Sequence, residues 1–220
     1  DGHGDQFLAT AFVKARGATP GRDQINARLF LNYGRLLGRM HALAKDYTPT
    51  QPAWKRYTWD SPENNTPDRQ LPPGESLIRQ KYGAVFAHLQ SLPTDRDAYG
   101  LIHQDAHTGN LFVDEEYSLT LFDFDDCVYG HFIYDIAMVL FYIAGWGGAD
   151  IPGFTGRFMP VFLQGYREFN RLDPSWLAQI PHFLKLREID LFAAILFTMG
   201  EDPQDDPWCA RYMQGRRGKI

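Results

Sequence analysis

The chain has little cysteine, no long apolar run and no basic tract, and each shortage removes a class of protein. Among 220 residues only Cys127 and Cys209 carry thiols. Two are too few for the disulfide framework of a small secreted scaffold, so a reducing compartment is the default. The longest strongly apolar stretch, Phe132 to Ala144, is interrupted by Asp135 and falls short of the roughly 20 residues a membrane-spanning helix needs. Basic residues number 22 against 27 acidic, a formal charge of −5. The one basic cluster, Arg216-Arg217-Gly218-Lys219, reads as a solvated tail. Proteins that bind nucleic acid usually show a basic face, so neither nucleic acid nor membrane is expected as a partner. No charged-then-apolar signal segment opens the chain, and the expected location is the cytoplasm.

What is present is apolar and aromatic: 44% hydrophobic residues and 15% Phe, Trp and Tyr, enough for one sizeable core. The chain opens without methionine on a Gly/Asp turn, and Phe7 to Val13 reads as the second strand of a hairpin. A linker follows at 16–21. Leu29, Tyr33, Leu36, Leu37, Met40 and Leu43 share one face of a helix expected over 24–45. Residues 48–75 hold six prolines and form an irregular excursion, which Trp54, Tyr57 and Trp59 are expected to pin. A second helix carries Leu77, Ile78, Tyr82, Val85, Phe86 and Leu89, and Pro93 ends it. Short strands are expected at 99–102, 111–113 and 118–124, then helices over 132–144, 157–170 and 176–199. The fold class is therefore α+β, mainly helical, with a small strand insert.

Chemistry concentrates in that insert. Leu101-Ile102-His103-Gln104-Asp105-Ala106-His107-Thr108-Gly109-Asn110 leaves one strand and enters the next, and a hairpin then delivers Phe122-Asp123-Phe124-Asp125-Asp126. A hairpin returns the chain to its starting side, so both acidic loops lie at one end of the insert. Two carboxylates and a carboxamide there suit phosphoryl transfer: one carboxylate orients an attacking hydroxyl, while the other and the amide oxygen hold magnesium. His-x-Asp-x4-Asn has the spacing of a kinase catalytic loop, and the Asp-Phe pair that of its metal-binding partner. With 7 His, 20 Asp and 6 Asn in the chain, the first pattern is expected by chance only roughly 0.02 times.

These residues resemble the aminoglycoside phosphotransferase and choline kinase family, which shares the protein-kinase-like fold. Tyr134-Asp135-Ile136-Ala137 and Leu37-Gly38-Arg39-Met40-His41-Ala42-Leu43 match as well. The resemblance spans about residues 7–200 and is sharpest in 101–137. It implies an ATP-dependent, Mg2+-using small-molecule kinase in which Asp105 is the base and Asn110 and Asp123 bind metal and nucleotide. Asp125 is a further metal candidate, and His103 and Asp135 support the loop. The implied acceptor is a hydroxyl on an aminoglycoside, choline, ethanolamine, homoserine or sugar type of molecule. Gln104 stands where many members have glycine, tolerable if its backbone is not left-handed. Asp125 stands where protein kinases have glycine. Lys14 is wrongly placed to be the nucleotide lysine, so residues 1–21 are expected to end an N-terminal lobe and its hinge. Residues 22–220 are then the C-terminal catalytic lobe, expected to be inactive alone.

Two other functions stay open on the residues: a non-catalytic nucleotide-binding module, and a metal-dependent hydrolase using His103, Asp105 and His107. Weaker candidates complete the reading. Trp146 and Trp176 are possible acceptor-pocket residues, and Arg187, Glu188 and Asp190 are possible readers of a charged acceptor. Asp126 is expected to cap the following helix, and His41 to be a satisfied histidine near the linker.

Overall fold

The computed structural model describes residues 9–63, 66–144 and 150–220. Its elements, in chain order, are α1 (Ala27–Ala44), α2 (Thr66–Gln70), α3 (Ser76–Gln90), β1 (Tyr99–Ile102), β2 (Leu111–Val113), β3 (Leu119–Leu121), β4 (Val128–His131), α4 (Phe132–Ile143), α5 (Ile151–Arg167), α6 (Ile180–Met199) and α7 (Pro207–Met213). No helix among the described residues is long and apolar enough to cross a membrane.

α1 begins where Asn26 caps the main-chain N–H groups of Arg28 and Leu29. It packs on α5 more closely than side chains usually allow. A methyl group on Gly34 would lie 1.9 Å from the Phe162 carbonyl oxygen, and one on Gly165 would lie 2.0 Å from that of Leu31. The two helices therefore meet backbone to backbone, with Phe30 edge-on to Phe154 and Phe158 beside them. α4 is buried along nearly its whole length, so its one carboxylate, Asp135, must find partners inside the protein.

The insert is two small sheets rather than one. β2 and β3 form the expected hairpin, with Leu111 opposite Leu121 and Val113 opposite Leu119. β1 instead pairs antiparallel with β4, Tyr99 opposite His131 and Ile102 opposite Val128. β4 falls in a stretch assigned no structure in the sequence, because Val128-Tyr129-Gly130-His131 is too short to show a period of its own.

The proline-rich excursion is pinned by backbone more than by aromatic rings. Tyr129 N–H donates to the Tyr57 carbonyl (2.8 Å) and Trp59 N–H to that of Tyr129 (2.9 Å). Trp59 is buried, whereas Trp54 and Tyr57 are exposed, contrary to expectation. Leu43 and Leu77, placed on inner faces by periodicity, are likewise exposed. The front strand is not seen. Phe7 and Leu8 lie outside the described residues, and Ala9–Val13 make no ladder, with Phe12 and Val13 exposed. Pairing starts only at Ala18, which exchanges hydrogen bonds with Val113 (3.2 and 2.8 Å).

Candidate active site

The loop from β1 to β2 is wired from behind by α4. His103 N–H donates to Asp135 Oδ2 (2.9 Å) and Gln104 N–H to Asp135 Oδ1 (2.7 Å). Asp135 Oδ2 also meets His41 Nε2 at 3.1 Å, and His41 Nδ1 meets the Tyr166 hydroxyl at 2.8 Å. His41 is thus the satisfied histidine expected, with its partners on α4 and α5. It is fully buried, stacked on Phe132 (4.5 Å between ring centroids), and completes the shell of a carboxylate 94 positions away. Gln104 is left-handed, φ 68°, the conformation in which its substitution for glycine is least comfortable. An ordinary side chain there costs about 1 kcal/mol, and the paired bonds to Asp135 hold the turn in place.

His103 supports the loop on its other side. Its Nε2 meets the Phe122 carbonyl (3.0 Å) and its Nδ1 accepts from Asp105 N–H (3.3 Å). Both ring nitrogens are therefore occupied. No three His, Cys, Asp or Glu side chains converge on a metal position among the described residues. The hydrolase reading through His103, Asp105 and His107 is left without a ligand set. From α1, the buried Tyr33 hydroxyl donates to the Ala106 carbonyl (2.8 Å).

Asp105 sits at the centre, its side chain 18% exposed. Asn110 Nδ2 donates to its carbonyl (3.1 Å) and to Oδ2 (3.2 Å), His107 Nε2 lies 3.3 Å from Oδ2, and Arg187 Nη2 donates to Oδ1 at 2.6 Å. Burial alone pushes the carboxyl up. The His107 hydrogen bond and the Arg187 charge outweigh it and hold Asp105 below the usual carboxylate range.

The second acidic loop is reached through the β2–β3 hairpin, whose ladder continues with Phe122 N–H donating to the Asn110 carbonyl (3.0 Å). That bond sets Asp123 one residue beyond the partner of Asn110. Asp123 is left-handed (φ 64°) and exposed, and its carboxylate makes no hydrogen bond or ion pair among the described residues. Asn110 spends its amide nitrogen on Asp105 and keeps its amide oxygen. Hard oxygens on Asn110 and on Asp123, which follows the backbone partner of Asn110, suit a divalent cation that takes its remaining ligands from phosphate and water, as Mg2+ does. Asp125 and Asp126 are exposed, and Asp125 completes no all-protein cage. Asp126 caps nothing, because the chain enters β4 and α4 starts behind His131.

Arg187, Asp190 and Tyr142 complete the site. Gln104, Asp105, Asp126, Arg187, Asp190, Leu191 and Ala194 line a cavity of about 230 Å³. Asp190 makes no hydrogen bond or ion pair among the described residues. Burial pushes its carboxyl up to about 7 against the pull of Arg187. Glu188 faces elsewhere and is spent on Lys185 (2.5 Å) and Arg216 (2.8 Å). Trp176 packs on His131 (5.3 Å) and lines a separate cavity with Lys45 and Asp95, while Trp146 lies outside the described residues. The sequence signal for Arg187 and Asp190 was a pair of opposite charges about one turn apart on the late helix, in a stretch that also holds Lys185 and Glu188.

A mainly helical body whose small strand insert presents these two acidic loops has the fold of kinase-like phosphotransferases. A model of the phosphotransferase enzyme family matches residues 1–178, and the chain belongs to that family. It is 36% identical over 213 residues to amicoumacin kinase of Bacillus subtilis, an alignment covering 93% of this chain and 63% of the relative. A solved amicoumacin kinase in complex with AMP-PNP, Ca2+ and Ami superposes with a TM-score of 0.83 at 33% identity, over 94% of this chain and 64% of the other. A microcompartment-associated aminopropanol kinase shares the fold, with a TM-score of 0.64 at 22% identity, over 87% of this chain and 61% of the other. The chain thus spans less than two thirds of the length of these relatives.

Proposed function

We propose that this chain is the catalytic lobe of an ATP-dependent kinase that phosphorylates a hydroxyl group of a small, amine-bearing molecule. The observation that carries the reading is the convergence of Asp105, Asn110 and Asp123 at the mouths of two loops joined by one hairpin. Asp105 is held anionic and aimed by Arg187, Asn110 and His107, the state in which a carboxylate accepts a hydroxyl proton and orients the attacking oxygen. Asn110 and Asp123 would hold Mg2+, which when bound offsets phosphate charge. Asp125 stands close by in sequence as a further ligand. Asp135 and His103 fix the loop that carries the base. Residues 9–21, tied to β2 through Ala18 and Val113, serve as the hinge from an N-terminal nucleotide lobe.

A small-molecule acceptor is supported by the related amicoumacin kinase, and its amine by Asp190, which has no ion pair among the described residues and lies in the cavity beside Asp105. The nucleotide is supported by the AMP-PNP in the related structure. The test is acceptor-dependent ADP release by the full-length protein with Mg-ATP, across amicoumacin, amino alcohols and aminoglycosides. Asp105→Asn is expected to lower turnover by ~10²–10⁴ with an unchanged melting transition. Near-normal turnover in that variant would overturn the assignment of the base. Nucleotide binding without turnover on any acceptor would favour the binding-module reading.

A further inference from the structure

Resting on the kinase reading above, we propose that Arg187 is a catalytic residue: it sets the position of Asp105 and receives oxygens of the phosphoryl group in flight. The family match ends at residue 178, and no loop motif reaches α6, so Arg187 is assigned here from geometry.

The geometry starts from the lone pairs of Asp105. Oδ2 already faces two donors, Asn110 Nδ2 at 3.2 Å and His107 Nε2 at 3.3 Å, whereas Oδ1 has one, Arg187 Nη2 at 2.6 Å. A carboxylate oxygen accepts about two hydrogen bonds, so the place left for an acceptor hydroxyl is on Oδ1, next to the guanidinium. Arg187 has five N–H donors. Its Nε and one Nη2 hydrogen go to the Tyr142 hydroxyl (3.1 and 2.5 Å), and the other Nη2 hydrogen goes to Asp105. Both Nη1 donors are without a hydrogen bond among the described residues.

Tyr142 braces the cation further, its ring centroid 5.4 Å from the guanidinium carbon and 4.8 Å from the His107 ring. The side chain is 19% exposed and lines the same cavity as Asp105. Nor is Arg187 spent on Asp190, which has no ion pair among the described residues although it lies three residues along the same helix. A half-buried planar cation with two unspent donors, next to the oxygen that takes the hydroxyl proton, matches the oxygens of a phosphoryl group.

In the step itself, the acceptor oxygen bonds to the γ-phosphorus as the bond from that phosphorus to the β–γ bridging oxygen breaks. The electron pair leaves with ADP, and the hydroxyl proton passes to Asp105 Oδ1 and then to solvent. Charge spread over the transferring oxygens is what the free Nη1 donors meet.

The experiment compares Arg187→Ala, Arg187→Lys and the double variant Arg187→Met with Asp190→Asn in the full-length enzyme. Arg187→Ala is expected to lower kcat by ~10²–10³, with the KM for ATP changed less than about threefold. Millimolar guanidinium should recover about tenfold or more of that loss. Affinity for ADP with aluminium fluoride, a mimic of the group in flight, should fall ~10²-fold while affinity for AMP-PNP is retained. If Arg187→Ala does not fold, the double variant, which leaves no unpaired acid opposite the missing cation, carries the same expectations when compared with Asp190→Asn alone.

A kcat in the double variant equal to that of Asp190→Asn alone would overturn the proposal, leaving Arg187 as a structural counter-charge. A rise in kcat on removing Arg187 would also overturn it, by showing a plug on Asp105. A wild-type enzyme without acceptor-dependent ADP release would instead remove the kinase reading, a failure distinct from an active enzyme indifferent to Arg187.

Discussion

The two acidic loops are close neighbours and physical opposites. In the first, nearly every polar group from His103 to Asn110 has a partner: Asp135 takes two main-chain N–H groups, Asn110 and Arg187 take Asp105, and Tyr33 takes Ala106. In the second, Asp123, Phe124, Asp125 and Asp126 are exposed, and Asp123 has no hydrogen-bond or ion-pair partner among the described residues. Under the proposed reading, a base would hold one rotamer and one protonation state while the substrate comes and goes, and a loop built into the core suits that. Ligands for an ion that arrives with its nucleotide would keep their oxygens free, as the second loop does. The same residue type, aspartate, is folded into the protein in one loop and left uncommitted in the other.

Three substitutions test that contrast through stability. Asp135→Ala should cost the most, about 3–5 kcal/mol, because it strands two main-chain N–H groups and a buried histidine. Urea unfolding read by fluorescence checks it, and a loss below 1 kcal/mol would mean that the first loop is not held from α4.

Asp190 lies between the extremes and shows itself through pH. Its carboxyl is raised to about 7, so between roughly pH 4 and 7 the folded state holds a proton that the unfolded chain has released. Stability contributed there falls as pH rises, by at most ~1.4 kcal/mol per pH unit for one proton. Asp190→Asn should flatten that slope and leave the protein more stable at pH 8 than the parent. An unchanged slope would show that Asp190 is ionised throughout.

Asp123→Asn should have the smallest effect on folding, within ~0.5 kcal/mol, since no contact is lost and asparagine tolerates the left-handed backbone. Its consequence should fall on turnover and on the Mg2+ concentration needed for half-maximal rate. A melting temperature lowered by several degrees would place Asp123 with the first loop after all.

Much of this was legible in the chain. The apolar period placed α1, α3, α4 and α6 because the period follows from the geometry of a single helix. The two acidic loops were legible because kinase-type chemistry needs fixed residue types a few positions apart, and His103, Asp105, Asn110 and Asp123 stand at that spacing. Where neighbours outweigh local pattern, the reading failed. Leu43 and Leu77 sit on apolar faces but at the edge of the packing. β4 exists because β1 offers it an edge. Asp126 precedes a strand rather than a helix.

The sequence by itself determined the long helices and the identity of the residues in both acidic loops, since propensity, periodicity and spacing act over a few residues, whereas the short α2 and α7 were not legible. Only the tertiary structure decided that His41 serves Asp135 across 94 positions, that Gln104 is left-handed, and that Arg187 reaches Asp105 across 82 positions. Such pairings carry no local signature. They are selected by which helix faces meet once the core is packed, and at Gly34 and Gly165 that packing is set by the absence of a side chain.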